Sequence, residues 1–284
     1  MLLISTKQAR ELDRAAIEEQ GVDSLELMEN AAQKVARQLH LMLQKEGRSM
    51  GKGVTVGAVL SKKESEALTE QQLAQVQRFQ QTVQSRSSDP TRRVAVFCGT
   101  GNNGGDGIAA ARLLMEMGYT VRAFLVGPRE KMTPDARAME EKLCLAGGTL
   151  ERFSPEDPEH KGWLMTCDGV VDAIFGVGLS RAVEGEDLQA IQWINHVRSP
   201  WRPVVSCDVP SGVDADTGAV LGQAVRASAT VTFTCAKPGL YQGEGGVCAG
   251  KVRVESIGNP HELVWKLERA EDALWAMVQK VQPN

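Results

Sequence analysis

From Arg93 onward the chain alternates two textures, and that alternation constrains its fold more than any other feature. Apolar runs rich in Val, Ile and Phe recur at Val94–Cys98, Thr120–Val126, Gly169–Ile174, Pro203–Cys207, Ala229–Thr234 and Lys251–Ile257. Helical stretches lie between them near 105–117, 134–146 and 184–197. The runs are close to continuously hydrophobic, most fully at Val94–Cys98, which suggests strands covered on both faces. Strands separated by helices build a mostly parallel sheet. The expected class is α/β, a three-layer sandwich with a mostly parallel central sheet and helices on both faces. Thr133-Pro134 reads as an N-cap followed by Pro at the first helical position, and Gly147 as the residue that ends that helix.

The flanks of this region read differently. Ser5 with Gln8 forms a capping box for an opening helix that stops at Gly21. Asp23 with Glu26 starts a second helix, in which Met28, Ala32, Val35, Leu39 and Met42 form one apolar stripe. Residues 46–92 change texture: Gly47 to Gly57 is Gly-rich and basic, and residues 70–84 hold seven glutamines. Leu68, Val76, Phe79 and Val83 follow a helical repeat there. The segment is expected to be an inserted loop plus one amphipathic helix, either a plain surface insertion or a partner or oligomer surface. Residues 259–284 are expected to end the chain as a docking helix, so that residues 1–284 make a single domain.

The densest chemistry lies in Val94-Ala-Val-Phe-Cys-Gly-Thr-Gly-Asn-Asn-Gly-Gly-Asp-Gly107. It contains G-x-G-x-x-G at Gly99, Gly101 and Gly104, after a strand and before a helix, the context of a Rossmann-like nucleotide turn. Glycines admit a ligand close to the backbone, and free N–H groups at the helix start attract anions. Such a turn also occurs as a plain strand-to-helix connection. Two details oppose a hydride-transfer dehydrogenase. The strand Thr120–Val126 runs into Gly-Pro-Arg with no acidic residue for a ribose hydroxyl. Asn102, Asn103 and Asp106 also crowd the turn, and a carboxylate there repels a pyrophosphate unless something compensates it.

Asp172 lies within a strand that enters a Gly-containing loop, and Asp208 follows another strand. In a parallel sheet both ends open on one rim, where Asp106 also belongs. Clustered carboxylates need a cation or a raised pKa. The nearby donors are Asn103, Asp172, Ser211 and backbone carbonyls, with no Cys or His adjacent, an inventory that suits a hard cation and not zinc.

Taken together, three segments resemble NAD(P)H-hydrate epimerases, the family with a YjeF N-terminal domain. They are Cys98-Gly-Thr-Gly-Asn-Asn-Gly-Gly-Asp-Gly107, Asp172-Ala-Ile-Phe-Gly-Val-Gly-Leu-Ser-Arg181 and Asp208-Val-Pro-Ser-Gly-Val-Asp-Ala-Asp-Thr-Gly218. Thr232-Phe-Thr-Cys-Ala-Lys-Pro-Gly239 and Leu27-Met-Glu-Asn-Ala31 add to the likeness, which covers residues 1–45 and 93–258. The resemblance implies an isomerase that interconverts the R and S epimers of NADHX and NADPHX, the hydrated reduced coenzymes. It implies substrate contacts from Asn102, Asn103, Gly104, Gly105 and Asp106, from Gly176, Val177, Gly178, Leu179, Ser180, Arg181 and Ala182, and from Asp208. It implies a potassium ion held by Asn103, Asp172 and Ser211. Relatives fused to a dehydratase carry a second, kinase-like domain; none fits in residues 259–284, so dehydratase activity is not expected.

The chemistry asks for one group that protonates a leaving hydroxyl and deprotonates an incoming water. Asp208 is the candidate catalytic residue, with a purely positioning role as its alternative. Lys237 and Arg181 are candidate phosphate contacts or plain surface charges. The other readings are a dehydrogenase and a non-catalytic nucleotide-binding or protein/RNA-interaction module on the same fold. Lys and Arg number 32 against 36 Asp and Glu, a net charge of -4, so nucleic acid is not an expected partner. No apolar run approaches the ~20 residues that span a bilayer, so no membrane is expected. The six scattered cysteines fit reduced core positions in the cytoplasm, with an organellar matrix as an alternative, and a homodimer is left open.

Overall fold

The structure is a computed structural model and describes residues 2–46, 69–88, 91–267 and 269. Seven strands form one sheet: β1 (Arg93–Cys98), β2 (Thr120–Leu125), β3 (Leu150–Arg152), β4 (Gly169–Ala173), β5 (Val204–Cys207), β6 (Ala229–Phe233) and β7 (Lys251–Glu255). Their order is β3-β2-β1-β4-β5-β6-β7, and every pairing is parallel. The helices between them are α4 (Asn102–Glu116), α5 (Pro134–Leu145), α6 (Pro158–Thr166), α7 (Gly185–Val197) and α8 (Gly243–Cys248). Before the sheet come α1 (Thr6–Glu18), α2 (Ser24–Glu46) and α3 (Glu70–Ser88).

The side-chain alternation of each strand feeds two cores. Val94, Val96 and Cys98 of β1 pack with Val35, Leu39 and Leu43 of α2, Ile108 and Leu114 of α4, and Met139 of α5. Ala95 and Phe97 point the other way, onto Leu164 of α6 and Ile191 and Ile194 of α7. The three-layer sandwich is therefore α2/α4/α5, sheet, α6/α7, as the double-sided apolar runs require. α1 stands apart over the end of β6, where Ala9 and Leu12 pack with Ile4, Cys235 and Leu263.

Local signals set the helix starts. Ser5 Oγ accepts from the Gln8 N–H while Gln8 Oε1 accepts from the Ser5 N–H at 2.8 Å, closing the capping box. Thr133 Oγ1 caps α5 and Pro134 opens it. Other expectations need correction. α4 starts at Asn102 and not near 105, because packing overrides the low helix propensity of Gly104, Gly105 and Gly107. β3 and α6 occupy a stretch with no expected element. β3 has three residues, of which only Leu150 is buried, too short to print an apolar run.

Of residues 46–92, Glu46 belongs to α2 and the expected amphipathic helix is α3, which packs on α6. Its Val76 is half-buried; Leu68 and the side chains of Phe79 and Val83 lie outside the described residues. At the far end, residues 261–267 are helical, and the rest of the expected tail helix lies outside the described residues apart from 269. No helix among the described residues is long and apolar enough to cross a membrane.

Candidate functional site

The sheet order reverses at β1: the chain runs outward through β2 and β3, then returns to lay β4 against the other side. At such a switch point, the loops after the two neighbouring strands diverge and open a crevice. A cavity of about 500 Å³ occupies it, within the usual range for small-molecule sites. Its walls are the turn Thr100–Asn103, the loop Ile174–Leu179, Asp106, Asp208, and Phe233, Thr234 and Lys237 after β6. Helix α1 adds Arg10 and Asp13, and α2 adds Leu27 and Met28.

Two glycines let these loops meet. A Cβ on Gly99 would sit 2.0 Å from the Ile174 carbonyl oxygen, and one on Gly104 would sit 1.9 Å from the Gly99 carbonyl oxygen. The start of α4 therefore rests directly on the loop after β1, which rests on the loop after β4. Gly104 and Gly105 are spent on this packing, Gly105 against Met28 and Ala136, and neither lines the cavity. Asn102, Asn103, Asp106, Gly176, Val177, Gly178, Leu179 and Asp208 do line it. Ser180, Arg181 and Ala182 are exposed and do not. Arg181 pairs with Asp187 at 2.8 Å and lies over the Phe175 ring, so it is a surface ion pair and not a cavity contact.

Asp208 follows β5 with φ 62, and its flanking residues are joined by a Val209 N–H to Cys207 carbonyl bond of 2.8 Å. Thr234 repeats the device after β6, with φ 62 and a Cys235 N–H to Phe233 carbonyl bond of 2.6 Å. Left-handed backbone is rare for a β-branched residue, and such strain concentrates at functional sites. Asp208 is 7% exposed and Lys237 is 3% exposed. Lys237 Nζ donates to Asp208 Oδ1 at 2.7 Å, to Thr232 Oγ1 at 2.9 Å and to the Phe233 carbonyl at 3.0 Å. Thr232 Oγ1 donates in turn to Asp208 Oδ1 at 3.0 Å. Lys237 is thus a buried counter-ion, which corrects its reading as a phosphate contact or surface charge. Asp208 Oδ2 accepts no bond from the described residues and lies 3.3 Å from where a Gly176 Cβ would stand.

Asp172 does not share this exposure, contrary to three carboxylates facing one ligand. It is fully buried, one residue before β4 ends, and its pairing with Ser206 in β5 keeps both on one sheet face. Its Oδ2 accepts from Ser206 Oγ at 2.7 Å and from the Ser211 N–H at 2.9 Å, while Ser211 Oγ donates to its Oδ1. Burial raises its carboxyl above the usual range, and the bonds from Ser211 and Ser206 hold that rise back. Ser211 Oγ also accepts from the Phe175 N–H at 2.9 Å, so Asp172 and Ser211 brace the loop from behind. Asp106 sits inside the cavity wall, and burial, then the charges of Asp208 and Asp13, push its carboxyl well above the ordinary value.

The donor set fits a hard cation. Asp172 has only hydroxyl and N–H partners, and no cationic side chain among them. Asn103 Nδ2 is buried without a partner, and turning its amide end for end would place an oxygen there instead. No group of three or more His, Cys, Asp or Glu among the described residues is arranged for a metal.

Sequence reasoning missed Lys237 as an ion-pair partner, and missed Arg10, Asp13 and Thr234. Lys237 carried a signal: it is the one charged residue between Arg226 and Glu244. Arg10 and Asp13 carried none, since α1 is charged around its whole exposed face.

The family described as YjeF-related protein N-terminus matches residues 24–239. A "Bifunctional NAD(P)H-hydrate repair enzyme Nnr" of Thermofilum pendens is 43% identical over 171 residues, covering 60% of this chain and 32% of that protein. One of Moorella thermoacetica is 33% identical, covering 93% of this chain and 42% of that protein. The chain thus spans less than half the length of these two relatives. A protein of Oenococcus oeni called "NAD(P)H-hydrate epimerase" is 34% identical, covering 90% of this chain and 97% of that one. In fold the chain matches the crystal structure of yeast ynu0 with a TM-score of 0.64 at 22% identity, over 94% of this chain and 93% of that one.

Proposed function

The chain belongs to the family of the YjeF-related protein N-terminus, and from that premise we propose that it epimerises hydrated NADH and NADPH at C6 of the nicotinamide ring. The observation that carries this reading is Asp208: one carboxylate oxygen is pinned by buried Lys237 and the other is left to the cavity beside Gly176 and Asn103. A carboxylate fixed in this way can serve a reacting group without turning away from it. The near-full-length relative named as an epimerase supports the substrate class.

In the hydrate, C6 carries a hydroxyl next to N1. The N1 lone pair forms a C6=N1 bond as the C6–O bond breaks, and the hydroxyl leaves with a proton as water. Water then adds to the other face of the iminium cation and gives up a proton, which restores the N1 lone pair. Asp208 transfers a proton in this cycle, and Asp106 and Asp208 line the space where positive charge develops. The N-terminus of α4 at Asn102 and Asn103 faces the substrate with free N–H groups suited to its phosphates. Gly176, Val177, Gly178 and Leu179 form the adjoining wall.

Potassium is the cofactor of this reading. Asn103, Asp172 and Ser211 would hold it, and when bound it supplies positive charge beside a buried carboxylate that has no other cation. The protein's own part is to brace the loop Ile174–Gly178 through Ser211 and Asp172.

The test couples an R-enriched hydrate to a dehydratase that consumes only the S epimer. Loss of the R form is expected to outpace spontaneous inversion, faster in potassium than in lithium at equal ionic strength. Asp208→Asn is expected to return the rate to background. A wild-type rate equal to background overturns the proposal.

A further inference from the structure

The family match begins at residue 24, but the cavity is built in part by α1, which precedes it. Asp13 on that helix lines the cavity and lies among its charged groups, near Lys237, Asp208 and Asp106. It is aimed by a relay. Asn259 Nδ2 donates to Asp13 Oδ1 at 3.0 Å, and Thr234 Oγ1 donates to Asn259 Oδ1 at 2.5 Å. Thr234 is the strained residue after β6, and Asn259 is 8% exposed. A strained backbone and a buried amide thus hold a single carboxylate that would otherwise be a free surface group on a helix. Asp13 Oδ2 accepts no bond from the described residues.

Inversion at C6 poses a geometric demand that Asp208 alone does not meet. The hydroxyl leaves from one face of a planar cation and water returns to the other. One carboxylate on the sheet rim reaches one face of a held ring. A second group must come from a different wall, and α1, packed over the end of β6, is such a wall.

We propose that Asp13 is a second catalytic residue of the epimerisation proposed above, transferring a proton at the ring face turned toward α1 while Asp208 does so at the face turned toward the sheet. In one direction a protonated carboxyl gives its proton to the departing hydroxyl, which leaves as water. The opposite carboxylate takes a proton from the water that adds to C6. Each turnover moves one proton from one carboxyl to the other, nothing is oxidised or reduced, and exchange with solvent resets the pair. The two groups differ in what holds them: Asp208 is ion-paired with Lys237 at 2.7 Å, whereas Asp13 is held by the neutral amide of Asn259 at 3.0 Å.

The proposal rests on the epimerase reading, and one isotope experiment separates the two. Each pure epimer is incubated in 18O-labelled water with wild type, Asp13→Asn and Asp208→Asn, following inversion and label entry at C6 separately. Asp13→Asn keeps an acceptor for Asn259 and leaves the buried Ala9, Leu12 and Ala16 face of α1 untouched, so the fold is retained. It is expected to lose inversion by roughly 100- to 10,000-fold. It should still exchange label into one epimer with retention, because Asp208 alone can remove and restore the hydroxyl on its own face. Asp208→Asn should exchange label only into the other epimer. Inversion by Asp13→Asn at the wild-type rate overturns the proposal. So does equal loss of exchange into both epimers, the mark of a structural role. If wild type neither inverts nor exchanges above background, the epimerase reading itself fails and takes this proposal with it.

Discussion

Lys237 Nζ lies 2.7 Å from Asp208 Oδ1, with both side chains almost sealed from solvent. Each charge is tolerable there only because the other is present. Lys237→Met is expected to cost about 3–5 kcal/mol of stability, the usual result of orphaning a buried charge. Adding Asp208→Asn to it should recover much of that stability while epimerisation stays at background. Chemical denaturation of the single and double variants, alongside the coupled assay, reads both effects.

Gly176 stands between Asn103 and Asp208, the two groups to which the proposed function assigns roles. A Cβ there would lie 2.9 Å from Asn103 Oδ1 and 3.3 Å from Asp208 Oδ2. Gly176→Ala is expected to reduce kcat/KM by at least about tenfold, because sub-ångström misplacement of catalytic groups is costly. Gly176 is half-exposed in the cavity wall, so the melting temperature should stay near that of wild type. A variant that loses stability and keeps activity would contradict this assignment.

Arg10 lines the cavity and donates from Nη2 to the Val177 carbonyl at 3.0 Å, with no carboxylate within ion-pair distance among the described residues. Lys237 is already committed to Asp208, whereas Arg10 bonds a backbone carbonyl and, among the described residues, no carboxylate. The phosphates of a dinucleotide are its natural partner. Arg10→Ala is expected to raise KM roughly tenfold, in line with one lost charged hydrogen bond, with kcat little changed. Arg10→Lys should recover part of the loss. Steady-state kinetics on each variant decide the matter.

Asp106 predicts a pH effect on stability. Burial is the main cause that raises its carboxyl in the folded state, followed by repulsion from Asp208 and Asp13. An acid whose folded value lies above its unfolded one favours folding fully below the unfolded value. That favour is lost as pH rises through the raised folded value. Asp106→Asn removes the titration, so its stability relative to wild type should be greater at pH 8 than at pH 4. Denaturant midpoints at the two pH values test the sign.

The centre of the sheet was legible because β1, β4, β5 and β6 are buried on both faces, which leaves apolar runs that no surface strand would carry, whereas edge strand β7 has no buried residue. The cavity residues Asn103, Asp106, Gly176 and Asp208 were legible because they follow strand ends in a parallel sheet. Asp172 was placed on the right strand but in the wrong setting. One residue before the strand end, the two-residue alternation turns it onto the α6/α7 face, behind the loop that it braces. β3 was too short to show periodicity. Asp13 was illegible for a different reason: its role comes from Asn259 and Thr234, hundreds of residues away, and not from its neighbours on α1.

The two ends of the described chain converge on the pocket. Leu3 bridges to Ala236, Thr6 bonds to Asp216, and Asp13 meets Asn259 across 246 positions of sequence. Contacts of such long range form late in folding. On a ribosome, which releases the chain N-terminus first, α1 must wait for residues 216–263 before it has its partners to dock against. The central strands β1, β2 and β4 can pair earlier, but the α1 wall of the pocket is set only once Asn259 has emerged, so a chain interrupted before it would own most of a sheet and an unfinished cavity.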